Sequence, residues 1–202
     1  MPNPGGCGRM EKRLKGNPHR MELKRIDRES PDRAALEQIN EEAIPENERV
    51  PLAEMIATGA EVIGICEKGE PAGYLIIRIY RRICYLAFFA VRSDLRSRGT
   101  GGRALRELIR MYPDRQIVVE FEAPGEDAAA DDIRFRRKQF YLRNGFFETG
   151  WYTFYDDTEF EIGCSDPVFD DRAFGEFAAY LDTIVTDHIP QPYRKDGKEK
   201  RI

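Results

Sequence analysis

A chain of 202 residues, 41% hydrophobic and 34% charged, can bury one substantial core beneath a heavily solvated surface, so one domain with tails is expected rather than two. Its formal net charge of −4 gives no global attraction to nucleic acid, whose binding needs concentrated basic surface. No stretch approaches the ~20 apolar residues of a membrane helix, and the basic N-terminus lacks the apolar centre of a signal peptide, so a cytoplasmic protein acting on neither membranes nor nucleic acid is expected. Cys7, Cys66, Cys84 and Cys164 show no C-x-x-C spacing, and only His19 and His188 could join them, which argues against a metal site and for free thiols in a reducing compartment.

Residues 1–20 are rich in Gly, Pro, Arg and Lys with little to bury and are expected to be a disordered leader. Residues 21–26 alternate apolar and charged side chains like an edge strand, and Ser30-Pro31 opens a helix, Ser30 as cap and Pro31 at its first position. That helix runs to about Ala43, where Ile44-Pro45 breaks it, and a short second helix spans residues 51–57. Residues 61–67 and 71–80 read as strands joined by the tight turn Lys68-Gly69-Glu70, and Arg81-Arg82 leads as tightly into residues 83–91. This last run is nearly all apolar, as suits a central strand covered on both faces. Turns this short make the three strands antiparallel neighbours.

Charge, Ser, Thr and three glycines fill residues 92–102, after which Ala104, Leu105, Leu108, Ile109 and Tyr112 recur at helical spacing until Pro113. Residues 115–122 then place Val118, Glu120 and Glu122 on one strand face and Ile117, Val119 and Phe121 on the other. An acidic, Ala-rich loop (123–132) precedes a basic helix (133–144) ended by Gly145. Residues 151–155 and 159–164 form a hairpin through Asp156-Asp157-Thr158, and residues 174–185 a last amphipathic helix. The folded domain is thus expected over residues 21–187, followed by a flexible basic tail, 188–202.

The turn between the central strand and its helix has a chemical use. The first N–H groups of a helix lack internal partners and carry the positive end of the dipole, so they attract phosphate. Gly99, Gly101 and Gly102 allow close backbone approach, and Arg96, Arg98 and Arg103 add positive charge. The spacing matches neither G-x-x-x-x-G-K-[ST] nor G-x-G-x-x-G.

Arg96-Ser97-Arg98-Gly99-Thr100-Gly101, after an apolar strand and opening a helix, resembles the pyrophosphate-binding motif of the GNAT superfamily of acyl-CoA-dependent N-acetyltransferases. Phe140 and Tyr141-Leu142-Arg143-Asn144-Gly145-Phe146 are similar to the family's F-Y-x-x-x-G-F segment, at a fitting separation, and the likeness spans residues 21–164. It implies an α/β (α+β) fold: a mixed, mostly antiparallel sheet of six to seven strands flanked by helices. The central strand and the 115–122 strand would be parallel and splayed apart, with the motif helix as crossover. It also implies acetyl-CoA, held by Arg96, Ser97, Arg98, Gly99, Thr100, Gly101 and Gly102, with its thioester carbonyl polarised by backbone N–H groups near Phe89, Ala90 and Val91, where a bulge frees donors. Where many members carry an Asn seven residues before the Tyr, this chain has Arg134, which either contacts phosphate or faces solvent.

Acetylating an amine needs the amine neutral: at pH 7 that costs about 4 to 5 kcal/mol for a lysine-like group of pKa ~10.4 and about 1 for an α-amine of pKa ~7.7–8.0. By the resemblance Glu120 is the base, directly or through water, with Glu122 on the same face. Pairing with basic residues of the 134–138 helix is the competing role, favoured for Glu122 and open for Glu120. Tyr141 stands where the family's tyrosine protonates the departing thiolate; its other reading is an aromatic anchor. Glu46 and Glu48 resemble an acidic loop beside the acceptor pocket, and Trp151 and Tyr155 offer aromatic surface to a cation. A covalent route through Cys66 or Cys84 is disfavoured, since both sit in apolar strands. The leading reading is transfer from acetyl-CoA to a primary amine in a ternary complex, a small molecule being preferred to a peptide or protein N-terminus. The alternatives are a catalytically silent acyl-CoA-binding module and a turn that holds some other phosphate ligand. A homodimer paired through the last hairpin is compatible with the pattern.

Overall fold

Strand alternation and short turns build most of this architecture. A computed structural model describes residues 21–195 except positions 47, 126, 156 and 186–189; the expected leader, Cys7 and both histidines lie outside them. The strands are β1 (Glu22–Ile26), β2 (Glu61–Glu67), β3 (Glu70–Tyr80), β4 (Ile83–Val91), β5 (Gln116–Glu122), β6 (Phe147–Tyr155), β7 (Thr158–Cys164) and β8 (Tyr193–Arg194). They form one sheet in the order β1-β2-β3-β4-β5-β7-β6-β8, antiparallel except for the β4–β5 pair. The helices are α1 (Arg33–Ala43), α2 (Leu52–Ala57), α3 (Thr100–Met111), α4 (Ile133–Leu142) and α5 (Asp171–Leu181). Among the described residues no helix is long and apolar enough to cross a membrane.

The β2–β3 connection is a two-residue turn in which Lys68 (φ 55°) and Gly69 (φ 88°) both take positive φ, the geometry that matches strand twist. One face of the sheet carries Ile63, Ile65, Leu75, Leu86, Val119 and Phe121 against Ala104, Leu105 and Leu108 of α3 and against Tyr141. The opposite face is shared. Over Val62, Tyr74, Ile76 and Ala90 lie Leu36, Ile39, Leu52 and Met55 of α1 and α2. Over Ile83, Val118 and Ile162 lie Phe174, Phe177 and Leu181 of α5. The α1–α2 connection is fixed by buried Asn40, which accepts from the Tyr74 hydroxyl at 2.7 Å and donates to the Val50 carbonyl at 3.0 Å.

Three expectations change. Ser30 does not cap α1: its hydroxyl exchanges hydrogen bonds with Asp27 in a turn, and the helix begins at Arg33. The sheet has eight strands rather than six or seven, because Tyr193–Arg194, inside the stretch expected to be a flexible tail, pairs with Trp151 and Tyr152 of β6. Side chains hold it there: the Tyr193 hydroxyl donates to Glu159 at 2.6 Å and Lys195 pairs with Glu159 at 2.7 Å. At those positions β8 occupies the outer edge of the last hairpin, the edge with which a homodimer was compatible.

Gly73 of β3 faces Val91, and a Cβ there would stand 2.3 Å from the Ala90 carbonyl oxygen, a backbone atom with no rotamer to change. Gly73→Ala is therefore expected to destabilise the protein by about 1–3 kcal/mol, the usual cost of overpacking, and to lower Tm by about 2–4 °C for each kcal/mol. Thermal unfolding checks this; an unchanged Tm would contradict the close β3–β4 approach.

Candidate active site

β4 and β5 pair only from Ile83↔Gln116 to Leu86↔Val119. Beyond that point β5 follows β7 as far as Glu122↔Phe160, and β4 follows β3 as far as Val91↔Gly73, so the two strands part. Ile76 faces Phe88 whereas Ile77 faces Leu86, leaving Ala87 as an extra residue. The bulge thus lies at Ala87, two residues before the 89–91 stretch where it was expected, and added twist from a bulge favours divergence of the neighbours. The Arg92 N–H donates to the Ala72 carbonyl at 2.9 Å. Antiparallel alternation from that bond gives the Ala90 groups to β3 and turns the N–H groups of Phe89 and Val91 toward the opening. The Val91 carbonyl is taken by Arg96 Nε at 3.0 Å, which ties the following loop to the strand.

That loop passes through a short 3₁₀ turn, Ser93–Leu95, and two positive φ angles, Ser97 at 60° and Gly99 at 80°. Gly99 is the N-cap of α3, so the amides of Thr100, Gly101 and Gly102 precede the first intrahelical bond, Arg103 N–H to the Gly99 carbonyl. Arg96 and Arg98 are exposed beside them. Arg103 is not available in the same way, since it is paired with Glu67 of β2. Thr100 is buried with its hydroxyl donated to Glu67 at 2.8 Å, which leaves only its backbone amide to a ligand. The helical glycines serve packing as well: a Cβ on Gly101 would stand 3.2 Å from the Phe140 ring, and one on Gly102 2.4 Å from Asn144 Oδ1.

Glu120 lies just past the last β4–β5 pair, on the α5 side. Its Oε2 accepts the Tyr85 hydroxyl at 2.7 Å and the Tyr155 hydroxyl at 3.1 Å, and its Oε1 accepts the hydroxyl of fully buried Thr153. Burial pushes this carboxyl above the ordinary carboxylate range, and the three hydroxyls pull in the opposite direction by favouring the ionised form. Burial and the neighbouring Glu120 charge in turn hold Tyr85 and Tyr155 in their neutral form. Glu120 has no cationic partner among the described residues, because the basic helix α4 packs on the other face, beside Phe121.

Glu122 shares the Glu120 face and makes no close salt bridge among the described residues; of the pairing expected with α4 there is a longer-range attraction to Arg134. Two α4 cations have close partners of their own: Arg134 its neighbour Asp132 at 2.8 Å, and Lys138 buried Glu161 at 2.8 Å and Glu148. Asp132, drawn down to a pKa of about 2 chiefly by Arg134, also caps α4 through the Arg134 N–H.

Tyr141 is on the opposite side of β5 from Glu120. Its ring is 8% exposed, stacks on Phe121 at 5.4 Å and meets Phe140 and Phe146 edge-on at 5.4 Å. Its hydroxyl makes no hydrogen bond among the described residues, and burial pushes its pKa to about 12. Consecutive strand residues point to opposite faces, so the gap beyond Leu86 and Val119 is where the Glu120 side and the Tyr141 side communicate.

The remaining expectations separate. Tyr155 joins Glu120. Trp151 lies against Phe169 with Arg194 over its ring at 5.5 Å, so it packs beneath β8. Glu46 and Glu48 are exposed in the α1–α2 connection, and among the described residues no side-chain bond joins either to the Glu120 cluster. Cys66, Cys84 and Cys164 are buried thiols, Cys84 pushed up to about 12 and Cys164 to about 11 by burial. Tyr85 and Thr153 were missed from the sequence. Tyr85 does share the alternation of its strand with Ile83, on the α5 side, but only the β4–β5 register shows that its hydroxyl reaches Glu120.

Residues 24–146 match the Acetyltransferase (GNAT) family. No curated protein sequence matches the chain. Solved structures with the same fold include a GNAT-family protein of Bacteroides thetaiotaomicron, 23% identical with a TM-score of 0.65 over 81% of this chain and 97% of that one. The Escherichia coli ribosomal-protein-S18-alanine N-acetyltransferase is 16% identical with a TM-score of 0.56, over 74% and 96% of the two chains. The Enterococcus faecium aminoglycoside 6′-N-acetyltransferase is 15% identical with a TM-score of 0.55, over 73% and 98%. With the family match covering more than half of its residues and including both the Gly-rich turn and the segment around Tyr141, this chain belongs to the GNAT family of acetyltransferases.

Proposed function

We propose that this acetyltransferase moves the acetyl group of acetyl-CoA to a primary amine by direct attack, with both substrates bound at once and a small-molecule amine as acceptor. The observation that carries this reading is the pair of proton-handling groups on the two sides of the β4–β5 opening, Glu120 and Tyr141. Acetyl-CoA supplies an activated thioester. The residues present fit it: three unpaired amides and two exposed arginines at the start of α3 suit a pyrophosphate, the N–H groups of Phe89 and Val91 suit a carbonyl oxygen, and a parted strand pair admits a narrow chain. Glu120, with no cation among the described residues to neutralise it and a carboxyl raised by burial, takes the acceptor's proton. Tyr141 keeps its own proton throughout the neutral range, because about 12 lies far above it, and is therefore a proton donor rather than a base. A silent acyl-CoA-binding module would have no use for an unpaired carboxylate ringed by hydroxyls.

Calorimetric titration should give micromolar binding of acetyl-CoA and of CoA with none of ATP, and Arg96→Ala combined with Gly101→Asp should abolish it. Binding of ATP instead would transfer the Gly-rich turn to another ligand. In a screen of primary amines, Glu120→Gln is expected to lower kcat about 10²–10⁴-fold with acetyl-CoA affinity retained; a variant of unchanged rate would remove Glu120 as base. Tyr141→Phe should reduce turnover while leaving Tm in place, since its hydroxyl makes no hydrogen bond among the described residues. The pH profile follows from the two groups. Activity should fall as the pH drops through the Glu120 pKa, above the ordinary ~4.3, and Tyr141 should impose no alkaline limb until the pH nears its pKa of about 12.

A further inference from the structure

Both oxygens of the Glu120 carboxylate are already occupied by hydroxyl donors. The donors do not surround it equally. Tyr85 stands opposite Val118 in the paired part of β4–β5, with its ring against Phe177 at 5.2 Å and Phe174 at 6.3 Å, and Thr153 is fully buried. These two close the inner side. Tyr155 is the last residue of β6, opposite Thr158 at the hairpin end and beyond the Glu122↔Phe160 pair, with its ring edge-on to Phe160 at 5.3 Å. It keeps partial exposure, and its 3.1 Å bond to Oε2 is longer than the 2.7 Å bond of Tyr85. A phenol has one proton and two lone pairs; here the proton is given to Glu120 and Tyr85 lies on the inner side of the Tyr155 oxygen, which leaves a lone pair on the outward side. An ammonium approaching along the open ends of β4 and β5 meets an acceptor.

We infer that Tyr155 relays the acceptor's proton to Glu120, a role that rests on the proposed acetyl transfer and makes the acceptor an amine that arrives protonated, as an alkylammonium does. The phenol O–H bond breaks as its proton passes to Oε2, while the phenol oxygen takes a proton from the ammonium nitrogen. Ammonium and carboxylate become amine and carboxylic acid, Tyr155 ends as it began, and the nitrogen lone pair is free to attack. No phenolate accumulates, as befits a phenol that burial holds neutral. The groups facing Glu120 are few: Tyr85 from β4, Thr153 and Tyr155 from β6, Phe160 and Ile162 from β7, Phe174 and Phe177 from α5, and Glu122 along its own strand. Tyr85 and Thr153 are positioning residues in this scheme.

Two experiments on the full chain test it. The first needs no acceptor: the ¹³C carboxyl signals of labelled glutamate are followed against pH, with Glu120 assigned by its loss in Glu120→Gln. Tyr155→Phe and Tyr85→Phe should each move the Glu120 titration upward, because each removes a donor to the ionised form; no movement in Tyr155→Phe overturns the contact. The second measures kcat/KM from about pH 6 to about pH 10 with the best amine from the screen. Tyr155→Phe is expected to lose about 10-fold or more while the amine is protonated and to recover toward the parent as the amine deprotonates unaided. Tyr85→Phe should instead move the acidic limb upward without that alkaline recovery. A loss in Tyr155→Phe that is the same at every pH would mean a packing role and overturn the relay. Activity that depends on Glu120 but not on Tyr155 overturns the relay alone, whereas activity independent of Glu120, or no amine acetylated, overturns the acetyl-transfer reading beneath it.

Discussion

The parting of β4 and β5 after Leu86 and Val119 is the constraint on which the rest of this molecule depends. A parallel pair cannot be joined by a tight turn, so the chain between the two strands must cross over, and α3 is that crossover. Its N-terminus therefore lies at the carboxyl ends of both strands, where ligands collect in open sheets with parallel strands. The same end is where the Ala87 bulge adds twist and β7 draws β5 aside as far as Glu122. Unpaired amides of the helix, unpaired amides of β4 and the Glu120 carboxylate are thus brought to one place by a single topological fact. The close approach of α3 to α4, permitted by Gly101 and Gly102, brings the Tyr141 segment to the same opening.

Two carboxylates in neighbouring strands, Glu161 buried and Glu120 half-buried, show how environment separates the two. Glu161, 3% exposed, faces α4 and is neutralised by Lys138, itself hydrogen-bonded and shared with Glu148. A pair of this kind costs desolvation on both sides and returns it as attraction, so it fixes the seating of α4 on the sheet and has little reactivity to spare. Glu120 points the other way and meets hydroxyls only. Hydroxyls stabilise the anion without cancelling its charge, so the group stays a competent proton acceptor at the cost of some stability. Adjacent strands, opposite faces and different donor types give the two acids different surroundings.

Order in the α1–α2 connection and at the far edge of the sheet depends on contacts distant in sequence. The Tyr74 hydroxyl bond to Asn40 crosses from β3 to α1, and Asn40 passes the constraint to the Val50 carbonyl, steadying the loop that was expected to flank the acceptor. At the far edge, Tyr193 and Lys195 close on Glu159, and β8 covers backbone that β6 would otherwise expose.

Much of this was legible in the chain itself. Period-two burial in residues 115–122 told which of Val119, Glu120 and Phe121 share a face, the Gly-rich turn marked the start of α3, and turn chemistry at Lys68-Gly69 fixed an antiparallel neighbour, because each of these is decided by residues close in sequence. The spacing of the Arg96 to Gly101 motif and the Tyr141 segment identified the family. Register, by contrast, depends on which strands meet. That Tyr85, Thr153 and Tyr155 converge on Glu120, that Arg103 and Thr100 are taken by Glu67, and that Trp151 packs against Phe169 and Arg194 are all consequences of packing between segments far apart in the chain. A side chain's neighbours across a sheet are set by tertiary pairing, and no local pattern encodes them.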